Sequence, residues 1–152
     1  MMQSQRIDPL LRRAQDHEDE VARDLAERQR TLDTHESRLD ELRRYAEEYA
    51  GSQMSATSAA ALTNRRAFLD RLDSAVLQQK QTVDSNRAKV EAERARLLLA
   101  SREKQVLEQL AASYRAQEKQ VVDRRDQRDM DDLGARRVRR LVQDANDQGE
   151  QA

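Results

Sequence analysis

Glycine, proline, cysteine and aromatic residues are all scarce in this 152-residue chain, and each shortage excludes a class of structure. Three glycines (Gly51, Gly134, Gly149) and one proline (Pro9) are too few for the turns of a β-sandwich, a barrel or a doubly wound sheet. One Phe, three Tyr and no Trp exclude a globular core of ordinary aromatic bulk. The absence of cysteine excludes disulfides, thiolate nucleophiles and cysteine-ligated zinc. The composition therefore favours an elongated, all-helical protein.

Long apolar runs and a charge of one sign are missing as well. No stretch approaches the roughly 20 apolar residues that cross a bilayer, and MMQSQRIDPL lacks the apolar run of a signal peptide. We therefore expect a protein made and kept in the cytosol. Its 28 basic and 29 acidic residues, 38% of the chain, give a net charge of only −1. Such a balance gives no overall attraction to nucleic acid or to an acidic membrane, so we expect neither nucleic-acid binding nor membrane insertion.

What the chain has instead is heptad periodicity, in two long segments. Asp8 and Pro9 predict a helix start, because Asp caps free amides and Pro suits the first helical position. From there to Tyr49, nine of twelve a and d positions are apolar or are Tyr. Between Leu62 and Val121, twelve of eighteen such positions fit a second stripe. A repeat of 3.5 residues over this length predicts a coiled coil.

The segment GSQMSATS, from Gly51, is the one convincing break between the two stripes, and Ser55, Thr57 and Ser58 are candidate N-caps. A short connection predicts antiparallel neighbours. Charge agrees, since residues 1–50 carry a net −4 and residues 58–107 a net +4. A parallel two-chain zipper would instead place acid against acid.

The predicted fold is therefore all-α, a long two-helix antiparallel coiled-coil hairpin with a C-terminal helical overhang. We predict a first coiled-coil helix over residues 1–50, a connecting turn over 51–57 and a second, longer helix over 58–133. For residues 134–152 we predict a basic amphipathic segment followed by a disordered tail. If residue 50 faces residue 58 and the two helices run antiparallel, residue 1 faces residue 107. The part of the second helix after residue 107 then has no partner helix from the same chain.

The overhang still carries apolar residues, and a stripe without a partner in its own chain predicts a docking surface for another protein. Its predicted contact residues are Leu107, Leu110, Tyr114 and Val121. A basic cluster follows, made of Arg136, Arg137, Arg139 and Arg140. It could bind phosphate or an acidic protein surface, or it could simply be exposed to solvent.

Catalytic and metal-binding patterns are missing from the sequence. His17 and His35 are 18 residues apart, about 27 Å along one helix, so they cannot ligate one metal ion. His35 lies at a d position, where it is predicted to fix the register of the coiled coil or to respond to pH. The polar a and d residues Arg28, Gln79, Asn86 and Lys104 are also predicted to fix the register. No glycine-rich phosphate loop is present. We predict a protein without enzymatic activity, cofactor or metal.

Four stretches carry a resemblance to a known family: RRYAEEY from Arg43, TNRRAFLDRL from Thr63, SREKQ from Ser101 and RDQRDMDDLGAR from Arg125. Over about 90 residues, in unbroken order, they resemble the FliJ family of the bacterial flagellar type III export apparatus. The YAEEY and DQRDMDDL segments are the more specific, because heptad periodicity does not require them.

The resemblance implies a non-catalytic stalk similar to the central subunit of rotary ATPases. It implies binding to the hexameric export ATPase, to the cytoplasmic domain of the export gate membrane protein and to export chaperones, at the cytoplasmic face of the inner membrane below the flagellum. The implied gate contact uses Leu72, Val76, Gln79 and Val83, where Gln79 replaces the small apolar residue expected. These four are also coiled-coil positions. The alternative is a general homodimeric coiled-coil scaffold or spacer.

Overall fold

The computed structural model describes residues 2–52 and 58–151, and in these two ranges the chain is helical throughout apart from a few end residues. Helix α1 spans Gln3–Gly51 and helix α2 spans Ala59–Glu150. The hydroxyl of Ser58 accepts a hydrogen bond from the amide of Ala61 at 3.2 Å, which makes Ser58 the N-cap of α2. The candidates Ser55 and Thr57 lie outside the described residues. The two helices pack against each other, which confirms the predicted all-α hairpin.

The start of α1 differs from the prediction at Asp8 and Pro9, because the helix begins at Gln3 and encloses Pro9. Proline inside a helix costs one intrahelical hydrogen bond, which normally ends the helix. Here the earlier turn has its own support. The amide and hydroxyl of Ser4 donate to the carboxylate of Glu118 on α2, at 3.0 and 2.6 Å. Ile7 is 5% exposed, so its burial also holds this turn in place.

The end of α2 also differs from the prediction. The helix runs through Gly134 to Glu150, so neither a break at residue 134 nor a disordered stretch over 146–150 is present. Gly134 has ordinary helical geometry, with no positive φ among the described glycines. A glycine inside a helix costs roughly 1 kcal/mol relative to alanine, which weakens a helix without ending it.

The packing divides the chain into two compact units, which we describe separately. The hairpin unit is Arg13–Lys104. Its core is the cluster of Leu32, Leu39, Val83 and Val90, each at most 6% exposed. These residues occupy predicted a and d positions of both helices, so the predicted coiled-coil faces are confirmed here.

Ion pairs across the hairpin unit join an acid on α1 to a base on α2. Arg87 lies 3.2 Å from Glu36, Lys104 lies 3.3 Å from Glu18, and Arg96 lies 3.9 Å from Asp24. This is the polarity that the opposed net charges of the two arms predict. The pairs are partly solvated, so each contributes at most about 1 kcal/mol, and their larger effect is on the choice of partner helix.

The predicted register is wrong even though the predicted faces are right. Counting from the connection puts Tyr49 opposite residue 59, yet its ring packs against Phe68 with centroids 4.6 Å apart. Arg65 in turn donates to the carbonyls of Tyr49, Ala50 and Ser52 at 3.4, 3.2 and 2.7 Å, capping the end of α1. These contacts at the connected end of the hairpin set which residues of α2 lie opposite the end of α1.

The second unit, here called the terminal unit, contains the chain up to Arg12 and from Gln105 onward. Simple counting places Ser4 opposite residue 104, but it bonds to Glu118, and Asp8 pairs with Arg115 at 3.0 Å. The difference between residues 104 and 118 is two heptads, a slip that keeps apolar positions facing apolar positions. The uncovered part of α2 therefore begins about two heptads later than predicted.

Candidate docking surfaces

The four residues implied in a gate contact lie within the hairpin unit, on the side of α2 that faces α1. Leu72 and Val83 are 8% and 1% exposed, and Val76 and Gln79 are half-buried. The amide of Gln79 donates to the carbonyl of His35 at 3.0 Å and lies 3.1 Å from its Nδ1. The structure thus brings these residues together as part of the packing between the helices, and only the edges of Val76 and Gln79 reach the surface.

A shallow groove opens beside Gln79 on the surface of the hairpin unit. It has a volume of about 370 Å³ and is lined by Gln79 together with Arg38, Glu41, Leu42 and Tyr45. Leu42 is a predicted a or d position, whereas Arg38, Glu41 and Tyr45 are lining residues that the heptad pattern did not single out.

The four predicted overhang residues lie in the terminal unit but differ in exposure. Leu107 and Tyr114 are half-buried, Leu110 is 39% exposed and Val121 is 65% exposed. Between them, Ala111 is 1% exposed. The expectation that all four lack cover from the same chain is therefore wrong for Leu107 and Tyr114, because the first turns of α1 lie against this part of α2.

Those first turns create a groove that the sequence did not reveal. It measures about 400 Å³ and is lined by Met2, Gln3, Tyr114, Gln117, Glu118, Val121 and Val122. Met2 and Val122 are 53% and 46% exposed, so the groove presents apolar surface to solvent. Tyr114 and Val121 are predicted contact residues, and Val122 belongs to the predicted apolar stripe of the overhang, whereas Met2 was not predicted. Met2 was missed because simple counting placed residue 2 opposite residue 106, not beside residues 114–122.

Glu118 is the polar centre of this region. Hydrogen bonds from the hydroxyl of Ser4 and then from its amide, together with the positive charge of Arg115, hold the pKa of Glu118 below its ordinary value of 4.5. An ionised carboxylate at a helix N-terminus also meets the positive end of the helix dipole. Glu118 therefore anchors the N-terminal turn that forms one wall of the groove.

The basic cluster of Arg136, Arg137, Arg139 and Arg140 lies on a helix that is exposed on every side. Residues 119–151 are all exposed, including Val138 and Leu141 at 60% and 63%. At 100° per residue, Arg136, Arg139 and Arg140 share one side of the helix while Val138 and Leu141 lie on the other. The predicted basic amphipathic character thus appears within α2 rather than in a separate segment.

The described residues hold little that is typical of an enzyme. Within 2–52 and 58–151, no group of three or more His, Cys, Asp or Glu side chains is placed to hold a metal ion. In the same ranges, every buried side-chain nitrogen or oxygen has a hydrogen-bond partner. None of the helices in this part of the chain is long and apolar enough to cross a membrane.

Comparison with known proteins gives one result. The family model described as the flagellar FliJ protein matches residues 2–142. In comparisons with curated proteins and with solved structures, nothing matches the chain. The family match covers far more than half of the chain and includes all of α1, α2 as far as residue 142 and the four stretches that carry the resemblance. This two-helix chain, with its uncovered α2 end, therefore belongs to the FliJ family, a non-catalytic family with a role in flagellar protein export.

Proposed function

We propose that this protein is a non-catalytic stalk and assembly factor that binds the hexameric flagellar export ATPase and links it to the export gate and to export chaperones. It works in the cytoplasm, peripherally associated with the inner membrane at the flagellar base. Family membership supports the export role. The observation that carries the ATPase contact is the apolar groove between the first turns of α1 and residues 114–122 of α2.

The groove suits insertion into a protein ring. Apolar side chains that are exposed in the free chain lose their contact with water when a partner covers them, and each large one contributes about 1.5 to 3 kcal/mol before ordering costs. Val121, Val122 and Met2 are exposed enough to make this contribution. Leu110, on the same helix, adds a further apolar contact.

For the gate we propose the groove beside Gln79, which Arg38, Glu41, Leu42 and Tyr45 also line. Leu72 and Val83 contribute by supporting this part of α2, since both are buried in the helix packing. A general homodimeric scaffold is the alternative function. It accounts for the composition and the coiled coil but not for the family match.

The experiment is an ATPase assay with the cognate export ATPase and the Val121→Asp variant. The new charge enters the groove, so we expect at least about a tenfold loss of binding and loss of stimulation. Because Val121 is 65% exposed, helicity and melting temperature should stay the same. Leu110→Asp should act in the same direction, with a somewhat larger effect on stability.

Gln120→Asp is the matched control. It adds the same charge one residue away, to an exposed position that does not line the groove, and should leave stimulation unchanged. The purified wild-type chain alone should hydrolyse no ATP. Full stimulation by Val121→Asp would show that the groove is not the ATPase contact, and hydrolysis by the purified chain would overturn the assignment as a stalk.

A further inference from the structure

His35 on α1 and Gln79 on α2 form a polar contact next to the apolar core of the hairpin unit. Both residues are half-buried, and Leu32, Leu39 and Val83, one turn away on the two helices, belong to the buried cluster. The side-chain nitrogen of Gln79 lies 3.0 Å from the backbone carbonyl oxygen of His35 and 3.1 Å from its Nδ1.

Gln79 also lines the groove that we propose for the gate, here called the gate groove, together with Arg38, Glu41, Leu42 and Tyr45. One side chain thus takes part both in the packing between the helices and in a candidate docking surface. A change at His35 can therefore reach the groove through Gln79.

The backbone carbonyl of His35 determines the protonation state that this contact requires. A carbonyl oxygen only accepts hydrogen bonds, so Gln79 must turn its NH2 group, and not its oxygen, toward His35. The second hydrogen of that NH2 group is then available to Nδ1, which must accept it. Nδ1 accepts only in a neutral imidazole that has its proton on Nε2, because both ring nitrogens are donors in the charged form. The contact is therefore specific for neutral His35.

Protonation of the ring would place a donor against a donor. The N–H group at Nδ1 and the NH2 group of Gln79 would lie 3.1 Å apart. Turning the amide over would instead put its oxygen 3.0 Å from the carbonyl oxygen of His35. Either arrangement brings two like groups together, so Gln79 must leave at least one of its partners. Because Gln79 lines the gate groove, the released amide enters the groove beside Leu42 and Tyr45.

The charged residues around this pair come from both helices and are nearly balanced. They are Asp33, Glu36, Arg38 and Glu41 on α1, and Lys80, Asp84 and Arg87 on α2. Arg87 lies 3.2 Å from Glu36 and 3.9 Å from Asp84. Histidine is the side chain that ordinarily changes its charge between pH 5 and 8, and the second histidine of the chain, His17, is 18 residues away. Proton uptake at this place in that range is therefore expected at His35.

We propose that His35 and Gln79 form a pH-sensitive contact that controls the gate groove. With neutral His35, the amide of Gln79 is held against α1 and the groove is open to a partner. With charged His35, the amide is released into the groove and binding there becomes weaker. The effect on binding rests on the proposed gate contact, whereas the contact between His35 and Gln79 belongs to the free chain and is tested separately.

NMR spectroscopy of the free, full-length chain tests the contact itself. At pH 7.5 the two ring nitrogen shifts of His35 should show a neutral imidazole with its proton on Nε2. As the pH falls to 5, the side-chain amide resonances of Gln79 should move together with the titration of His35. A proton on Nδ1 at pH 7.5, a ring that stays neutral down to pH 5, or Gln79 resonances that stay constant while His35 titrates would each overturn the proposal.

His35→Asn separates proton uptake from loss of the side chain. The amide oxygen of the new residue replaces Nδ1 as an acceptor but does not titrate, so the Gln79 resonances should stay constant between pH 7.5 and 5. His17→Asn is the matched control, because it removes an exposed histidine from the same helix and should leave the response of Gln79 as in the wild type. A response that persists in His35→Asn would assign it to a different group and overturn the proposal.

Binding to the cytoplasmic domain of the cognate export gate protein tests the consequence. Between pH 7.5 and 5.5 the Kd of the wild type should rise about fivefold more than that of His35→Asn, as expected for the loss of one hydrogen bond. Titration of the gate domain itself affects both chains and cancels in the comparison. Equal rises for the two chains would overturn control of the groove by His35. Absence of wild-type binding at pH 7.5 would overturn the gate contact and its regulation together, while the Gln79 resonances of the free chain would still decide whether the contact is pH-sensitive.

Discussion

The hairpin unit and the exposed end of α2 are made from similar residues and yet are stabilised in different ways. In the hairpin unit, apolar residues recur at a and d positions on two helices, and Val83 and Val90 are 1% and 2% exposed. Along residues 119–150 the large apolar residues are 46% to 70% exposed. The comparison shows that a heptad pattern stabilises a helix only where a second pattern faces it. Apolar residues on a single uncovered helix are instead available for association.

The largest expected effect that separates the two regions comes from truncating one leucine in each. Leu39→Ala leaves a cavity in the cluster with Leu32, Val83 and Val90, and should lower the free energy of unfolding by roughly 2–5 kcal/mol. Leu141→Ala, at 63% exposure, should change it by less than about 0.5 kcal/mol in dilute solution. Urea unfolding followed by circular dichroism measures both. Equal losses for the two variants would show that residue 141 is already covered in the free chain.

The sequence was sufficient to predict the faces of the coiled coil but not their alignment. From Arg65 to Glu118, the predicted positions on α2 are all buried or half-buried, because burial of every third and fourth residue follows directly from helix geometry. A slip by whole heptads preserves that pattern. The alignment depends on side chains that break the repeat, such as Phe68 against Tyr45 and Tyr49, and these contacts exist only once the helices meet.

The error in alignment also explains which site residues could be predicted. Val121 is exposed because it lies beyond the last turn that α1 covers, whereas Leu110 is 39% exposed although its neighbour Ala111 is covered. Tyr114 was expected to be uncovered, and the groove that it lines depends on Met2 and on the helical turn before Pro9. Local rules predict that Pro9 starts a helix. The bonds from Ser4 to Glu118 outweigh that local preference, and no pattern within residues 1–10 contains this information.

A smaller effect is expected from the polar pair inside the hairpin unit. The amide of Gln79 satisfies the carbonyl of His35, so Gln79→Ala removes hydrogen bonds from a half-buried position and should cost about 1 kcal/mol. Gln78→Ala is the control, since the side chain of Gln78 is exposed, and it should cost almost nothing. Thermal unfolding of the two variants gives the difference. The same melting temperature for both would show that the polar pair does not hold the register.

The smallest effect concerns the terminal unit, where pH distinguishes the covered turn of α1 from the exposed end of α2. The pKa of Glu118 is lowered in the folded chain by the hydroxyl and amide of Ser4 and then by Arg115. A lowered carboxyl pKa means that this contact stabilises the docked turn fully above the ordinary value of 4.5, and that the contribution is lost as the pH falls through the lower folded value. The Ser4 amide resonance should therefore shift toward its undocked position below pH 4.5, while amides in residues 119–150 show no matching step. Glu118→Gln still accepts a hydrogen bond from Ser4 but does not titrate, so its Ser4 resonance should stay constant over the same range. An identical acid transition in Glu118→Gln would assign the titration to a different group and remove Glu118 as the anchor of the groove.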